Sequence, residues 1–340
     1  IGFSGSNNNC LIKAIQLREL GAGSEEDPTH EDDPVDPPAG SAWIPDPVPG
    51  SDSTSEPCTP NDGGQGNASQ HANDKKNCQG KNFDLVMLGD SVTENWGATG
   101  VEAVESKLKI DSSSDGVFCI GIGGNRTQHM IWRCQDGALG GDTPETGYTT
   151  KYFTLLAGVN NVYQKIIDEG GNPDNPEDIA EAIRTLVNMI VAKHPESKVL
   201  LMPILPYAFR YEKNGSYLAK HLKGIRVRET TEDVNDIIIN FVDNKRIFWV
   251  DVREKFVLSD GLPNFELFGG PNGSYDPDQC LHPRTTGYDF FNTAVKAAME
   301  KYQSVAVGTA QVTDPSLGLV TYSQSGFDAV ATISLSGIYL

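Results

Sequence analysis

The run Leu88-Gly89-Asp90-Ser91-Val92-Thr93 ends a short apolar stretch on a hydroxyl that could serve as a nucleophile. Ligands of an open parallel sheet bind beyond the carboxyl ends of its strands, which is where Ser91 stands if that stretch is a strand. Read alone, Gly-Asp-Ser fits equally well a strand-ending turn in which Asp90 or Ser91 caps the next helix. Two more strand ends weigh toward chemistry, because Gly121-Ile122-Gly123-Gly124-Asn125-Arg126-Thr127 and Ala157-Gly158-Val159-Asn160-Asn161 converge on the same rim. A serine attacking an ester creates a tetrahedral oxyanion, which needs N–H donors already in place. The backbone N–H groups of Ser91 and Gly124 and the side-chain amide of Asn160 would provide three. The base is His282, in Gln279-Cys280-Leu281-His282-Pro283, the one histidine of six in a late loop from which an imidazole could reach the serine. His129 and His194 fall on predicted helices as surface or packing residues. Rival chemistries fit less well: Gly121-x-Gly123-Gly124 lacks the GxGxxG spacing and a Walker lysine, and no HxH, HExxH or tight carboxylate cluster suggests a metal. Gly89-x-Ser91-x-Thr93 also lacks the second glycine of a GxSxG nucleophile elbow. No cofactor is expected.

These residues require a scaffold that brings several strand ends together, and the sequence from Lys81 onward has that pattern. Short apolar runs, Phe83 to Leu88, Val117 to Ile122, Tyr152 to Ala157, Lys198 to Leu205 and Arg246 to Val252, read as buried strands. Between them lie helical stretches. The clearest, Pro176 to Lys193, repeats Ile179, Ala182, Ile183, Leu186, Val187 and Ile190 at helical spacing behind a Pro-Glu-Asp start. Others span about His221 to Val242 and Thr285 to Tyr302. Alternating strands and helices predict a three-layer α/β/α sandwich on a five-stranded parallel sheet, over residues 81–305.

The flanks read differently. Residues 1–80 are an acidic arm rich in Pro, Ser and Gly, expected to be extended, and residues 306–340 are a β-prone segment that could form a hairpin. That hairpin could cover an edge of its own domain or add a strand to a neighbouring molecule, so self-assembly through either flank is one expectation. With 27 Lys+Arg against 46 Asp+Glu the net charge is −19, which argues against nucleic-acid and anionic-membrane partners. No run of about 18 apolar residues offers a membrane span. Ile1 and the lack of a basic-then-apolar start suggest a processed or partial chain. Six widely spaced cysteines make disulfides plausible, and sequons begin at Asn67, Asn125, Asn214 and Asn272. Together these predict a secreted or surface glycoprotein.

In their order, Gly89-Asp90-Ser91, the Gly124 loop, Asn160 and His282 resemble the four signature blocks of the SGNH (GDSL-type) hydrolases. The second block, Gly121 to Arg133, is similar to that of the platelet-activating-factor acetylhydrolase catalytic subunits within that family. The resemblance covers residues 82 to 303. It implies a flavodoxin-like sheet and serine-esterase chemistry, with Ser91 as nucleophile, His282 as base, and Gly124 and Asn160 at oxyanion positions. Two departures stand out. The family's aspartate three residues before the histidine is Gln279 here, so Asp278 has taken its role through a shifted loop, or a weak dyad remains, or activity is lost. The Asn125 sequon lies directly beside the oxyanion glycine. Two functions are therefore expected. The first is a secreted esterase or deacetylase acting on acetyl esters, with O-acetylated carbohydrate as substrate. The alternative is a catalytically impaired domain serving as a structural subunit of an extracellular glycoprotein assembly or filament.

Overall fold

The computed structural model describes residues 67–98, 101–167, 173–207, 217–259, 263–269 and 281–307. Most of the arm, the C-terminal segment from residue 308, and Asp278, Gln279, Asn214 and Asn272 lie outside these. Strands β1 (Asn82–Gly89), β2 (Val117–Gly121), β3 (Thr149–Leu156), β4 (Lys198–Leu201) and β5 (Ile247–Trp249) pair in parallel, in the order β2-β1-β3-β4-β5. Val86, Met87 and Leu88 of β1 are fully buried, as expected of a central strand covered on both faces.

Two adjacent residues of β3 show what covers each face. The Tyr152 hydroxyl donates to the carbonyl of Met299 in α9 (Thr285–Tyr302), 2.8 Å away. The next residue, Phe153, packs its ring 4.9 Å from His194, the residue that closes α6 (Pro176–Lys193). Alternation along a strand sends neighbours to opposite faces, so α9 and α6 lie on opposite sides of the sheet. The bounds of α6 follow from local signals: the Asn175 side chain accepts from the Glu177 N–H at 3.1 Å, Pro176 opens the helix, and Glu177 and Asp178 occupy its first turn.

Strand β4 is shorter than the apolar run that predicts it. Pro203 and Pro206 supply no N–H to a ladder, and pairing stops at Leu201. Beyond it, Asn235 of α7 (Tyr217–Ile238) takes over: its Oδ1 accepts from Ile204 N–H at 2.8 Å, and its Nδ2 donates to Ile204 O at 2.9 Å. A second correction concerns residues 67–77, read from composition as extended arm. They form helix α1 (Asn67–Asn77), which ends in Lys75 and Lys76 and is followed by the buried Cys78. Average composition over residues 1–80 hides this helical run. Among the described residues no helix is long and apolar enough to cross a membrane.

The remaining elements set the site. Helices α2 (Ser91–Ala98) and α3 (Val101–Leu108) follow β1, α4 (Thr127–Arg133) follows β2, and α5 (Val159–Ile167) follows β3. A short helix α8 (Arg253–Phe256) precedes a small antiparallel pair, β6 (Phe268–Gly269) with β7 (His282–Pro283). The chain runs from β1 outward to β2, then returns to lay β3 on the other side of β1. That reversal opens a crevice at the carboxyl ends of β1 and β3. In register, Gly89 sits level with Gly121 on one side and Leu156 on the other, so the three segments that follow start at one height.

Candidate active site

Asp90 and Ser91 leave β1 in one step. Asp90 is fully buried, and its Oδ1 accepts from the Val92 N–H at 2.9 Å, which caps α2. Burial pushes its carboxyl up to about 7, against the Val92 hydrogen bond and the nearby Arg133 charge. The turn reading of Gly-Asp-Ser therefore holds for Asp90, and it leaves Ser91 to another role. Ser91 is half-buried, and its Oγ lies 2.8 Å from Nε2 of His282. With the ring proton on Nδ1, Nε2 accepts from the hydroxyl, the arrangement in which an imidazole can act as base. Pairing of Gly269 with His282 in the β6–β7 ladder carries the histidine across to α2.

Burial holds His282 well below its ordinary value, at about 4. Its Nδ1 is buried and has no hydrogen-bond partner among the described residues. Asp278 and Gln279, the residues expected to supply or lack the orienting acid, lie outside those residues.

The other oxyanion candidates lie on the segments that follow β2 and β3. Gly124 has φ +70°, a left-handed backbone that glycine adopts without strain, and it turns the chain back beneath the site. No hydrogen bond among the described residues engages the N–H of Ser91 or of Gly124. The Nδ2 of Asn160 donates to the Asn125 carbonyl at 2.8 Å, tying α5 to the loop after β2, and a primary amide has a second N–H to offer. Close approach is possible because Gly121 has no side chain: a Cβ there would fall 2.4 Å from Glu94 N and 2.9 Å from Asp90 O.

Several expectations change. Asn125 is fully buried, so its side chain cannot carry a glycan in the folded protein. The carbonyl of the same residue faces Asn160 instead, and neither atom of its amide has a partner among the described residues. Asn67 opens α1. Trp96 belongs to the core: it is fully buried, donates to Asn292 Oδ1 at 2.8 Å and meets Phe291 edge-on at 5.1 Å. Tyr207 is likewise fully buried. The cysteines Cys78, Cys119 and Cys134 are free thiols, pushed by burial to about 11, 12 and 12. His129 and His194 are both buried packing residues; the first caps α4 through the Arg126 N–H at 3.0 Å.

One residue with a large part in the site escaped sequence reasoning. Arg133, at the end of α4, is fully buried and donates to the carbonyls of Ile120 at 2.8 Å and Gly89 at 3.1 Å. It stitches together the ends of β1 and β2 directly beneath the Asp90–Ser91 step. A charged residue in the apolar run Met130-Ile131-Trp132-Arg133 was the available signal. Arg133→Met is expected to cost about 3–5 kcal/mol, since it strands two buried carbonyls and leaves Asp90 without its cation. The midpoint of urea unfolding measures this; a midpoint within experimental error of wild type would refute it.

Residues 87–290, more than half of the chain, match the sequence profile of the GDSL-like lipase/acylhydrolase family. Among curated proteins, the chain is 25% identical over 194 residues to platelet-activating factor acetylhydrolase IB subunit alpha2 of Rattus norvegicus, covering 57% of this chain and 69% of that one. The Gallus gallus protein of the same name is 27% identical over 198 residues, 58% and 71% of the two chains. Among solved structures, a GDSL-like lipase from Bacteroides thetaiotaomicron aligns with a TM-score of 0.49 and 18% identity, over 68% of this chain and 96% of that one.

Proposed function

Because the chain belongs to the GDSL-like lipase/acylhydrolase family, a family of ester hydrolases, we propose that it is a secreted serine esterase that removes acetyl groups from carbohydrate. The observation that carries the reading is the 2.8 Å contact between Ser91 Oγ and His282 Nε2 at the crevice where the strand order reverses. In this reading His282 takes the hydroxyl proton as Ser91 attacks the ester carbonyl. The tetrahedral oxyanion rests on the N–H groups of Ser91 and Gly124 and on Asn160 Nδ2. As the C–O bond breaks, the imidazolium returns its proton to the leaving alcohol, and an acyl-Ser91 ester remains. Water then attacks that ester with His282 again as base, releasing the acid and restoring Ser91.

The sequons and the acidic charge support the carbohydrate assignment, and an open groove of about 530 Å³ lies along the segments that flank β6 and β7. It is lined by Glu266, Arg284, Thr286 and Asp289 with Leu267 and Phe290, and Arg284 stands two residues beyond His282. Secretion is supported by the sequons outside the buried Asn125 and by the acidic charge. On this reading kcat/KM for p-nitrophenyl acetate exceeds that for the octanoate by about tenfold or more, and an O-acetylated polysaccharide releases acetate. A preference for the octanoate would overturn the substrate assignment.

The Nδ1 of His282, unpartnered among the described residues, and Gln279 three residues before it favour a second reading: a domain with a disabled site, retained as a structural subunit of an extracellular assembly. Ser91-dependent turnover of the acetyl ester decides between the two.

A further inference from the structure

Helix α1 lies ahead of the family-matched residues 87–290, yet it reaches the loop that bears the oxyanion glycine. Gln70 Nε2 donates to the carbonyl of Gly121, the last residue of β2, at 2.9 Å. The same side chain hydrogen-bonds the Glu94 carboxylate, which in turn accepts from the N–H of Gly123. Glu94 is three residues beyond Ser91, one turn along the same face of α2. Gly123 makes this packing possible: a Cβ there would lie 2.9 Å from Glu94 Oε2 and 3.8 Å from Ser91 Cβ. Gly123 is thus fixed between Ser91 and Gly124 by a carboxylate that Gln70 itself orients.

The rest of α1 is fastened to the segment that follows this loop. His71 Nε2 and Lys75 Nζ reach Asp136 Oδ2 at 2.9 and 2.5 Å, and the His71 ring lies 5.4 Å from that of Trp132. The helix is therefore anchored at Trp132 and Asp136, while Gln70 extends to Gly121 and Glu94.

We propose that Gln70 is a positioning residue for the oxyanion loop, acting through Glu94 and the Gly121 carbonyl, so that a helix outside the family-matched region completes the active site. The inference rests on the esterase reading for its catalytic consequence, but its geometric content can be read without turnover.

The test uses the full chain carrying Gln70→Ala, Gln70→Glu or Gln70→Lys, with Lys75→Ala as a control that loosens α1 at the exposed Asp136 contact. Gln70→Ala and Gln70→Glu are expected to lower kcat on p-nitrophenyl acetate about tenfold, part of the loss that removal of a whole oxyanion donor causes, with KM changed less than twofold. Gln70→Lys keeps a donor for both acceptors and is expected to recover at least about a third of kcat. Lys75→Ala is expected to match wild type, since its ion pair is exposed. In parallel, hydrogen exchange by mass spectrometry is expected to accelerate in Gln70→Ala over peptides covering 121–126, with β1 and β3 unchanged. Unchanged kcat in Gln70→Ala, an equal loss in Lys75→Ala, or unchanged exchange over 121–126 would each overturn the proposal. If the wild type shows no Ser91-dependent turnover, the esterase reading fails, and the exchange comparison still decides whether Gln70 holds the loop.

Discussion

Ser91→Ala is expected to lower kcat on a small chromogenic acetyl ester by about 10³-fold or more while leaving the protein folded. The substitution removes one oxygen from a half-buried position whose hydrogen bond runs to His282 Nε2. The backbone N–H of residue 91 stays, and so does the Asp90 cap on the Val92 N–H, so the start of α2 has no reason to move. One neutral hydrogen bond is worth about 1 kcal/mol, and the urea midpoint should shift little. A residual rate above the uncatalysed one is expected, because Gly124 and Asn160 can still hold an oxyanion for attack by water. His282→Ala should cost about as much, and the double variant little more, because nucleophile and base act as a unit. Turnover retained in Ser91→Ala would place the nucleophile elsewhere.

The parts of this site that were legible in the sequence are those set by local chemistry. Helices α6 and α9 have the bounds their periodicity and caps predict, and each of the five sheet strands overlaps one of the predicted apolar runs, with β3 starting three residues earlier at Thr149. Ser91, Gly124, Asn160 and His282 could be singled out because three of them follow strand ends and the fourth precedes a helix. Contacts decided only in three dimensions stayed hidden. Arg133 is a surface residue type that becomes a clamp because two strand ends present carbonyls to it. Gln70 sits in a stretch whose average composition reads as solvated, and its partner Gly121 is 51 residues away. Asn125 looks like an exposed turn residue with a sequon, yet the Asn160 hydrogen bond draws its backbone into the interior. Trp96, five residues beyond the nucleophile, likewise takes its place only from the fold, where it fills the core beneath α9.

Gln279→Asp is expected to raise kcat by about 10²-fold or more at pH 8, with a gain that shrinks as the pH falls toward 5. The reason lies in the two protonation states of His282. Burial alone holds the ring at about 4, so it is a neutral base throughout the range above about pH 5, and wild-type kcat/KM should be flat there with an acid limb near 4. A base held that low is ready to accept a proton but poorly suited to keep it: the imidazolium formed in the transition state lies buried, with Nδ1 unpartnered among the described residues. A carboxylate at Nδ1 stabilises that cation and fixes the tautomer, an effect worth about 10⁴ in a complete serine triad. The same carboxylate raises the pKa of the ring, because it favours the charged form. The acid limb of kcat/KM in Gln279→Asp should therefore move upward from about 4, toward or past the ordinary histidine value of about 6.5, which costs activity at pH 5 while the gain at pH 8 is complete. Asp278→Asn separates the remaining possibility. If Asp278 already serves Nδ1, its loss lowers kcat sharply and Gln279→Asp adds little; if it does not, Asp278→Asn leaves the rate and the limb unchanged. A Gln279→Asp enzyme that gains rate without any displacement of its acid limb would show that the new carboxylate acts somewhere other than on His282.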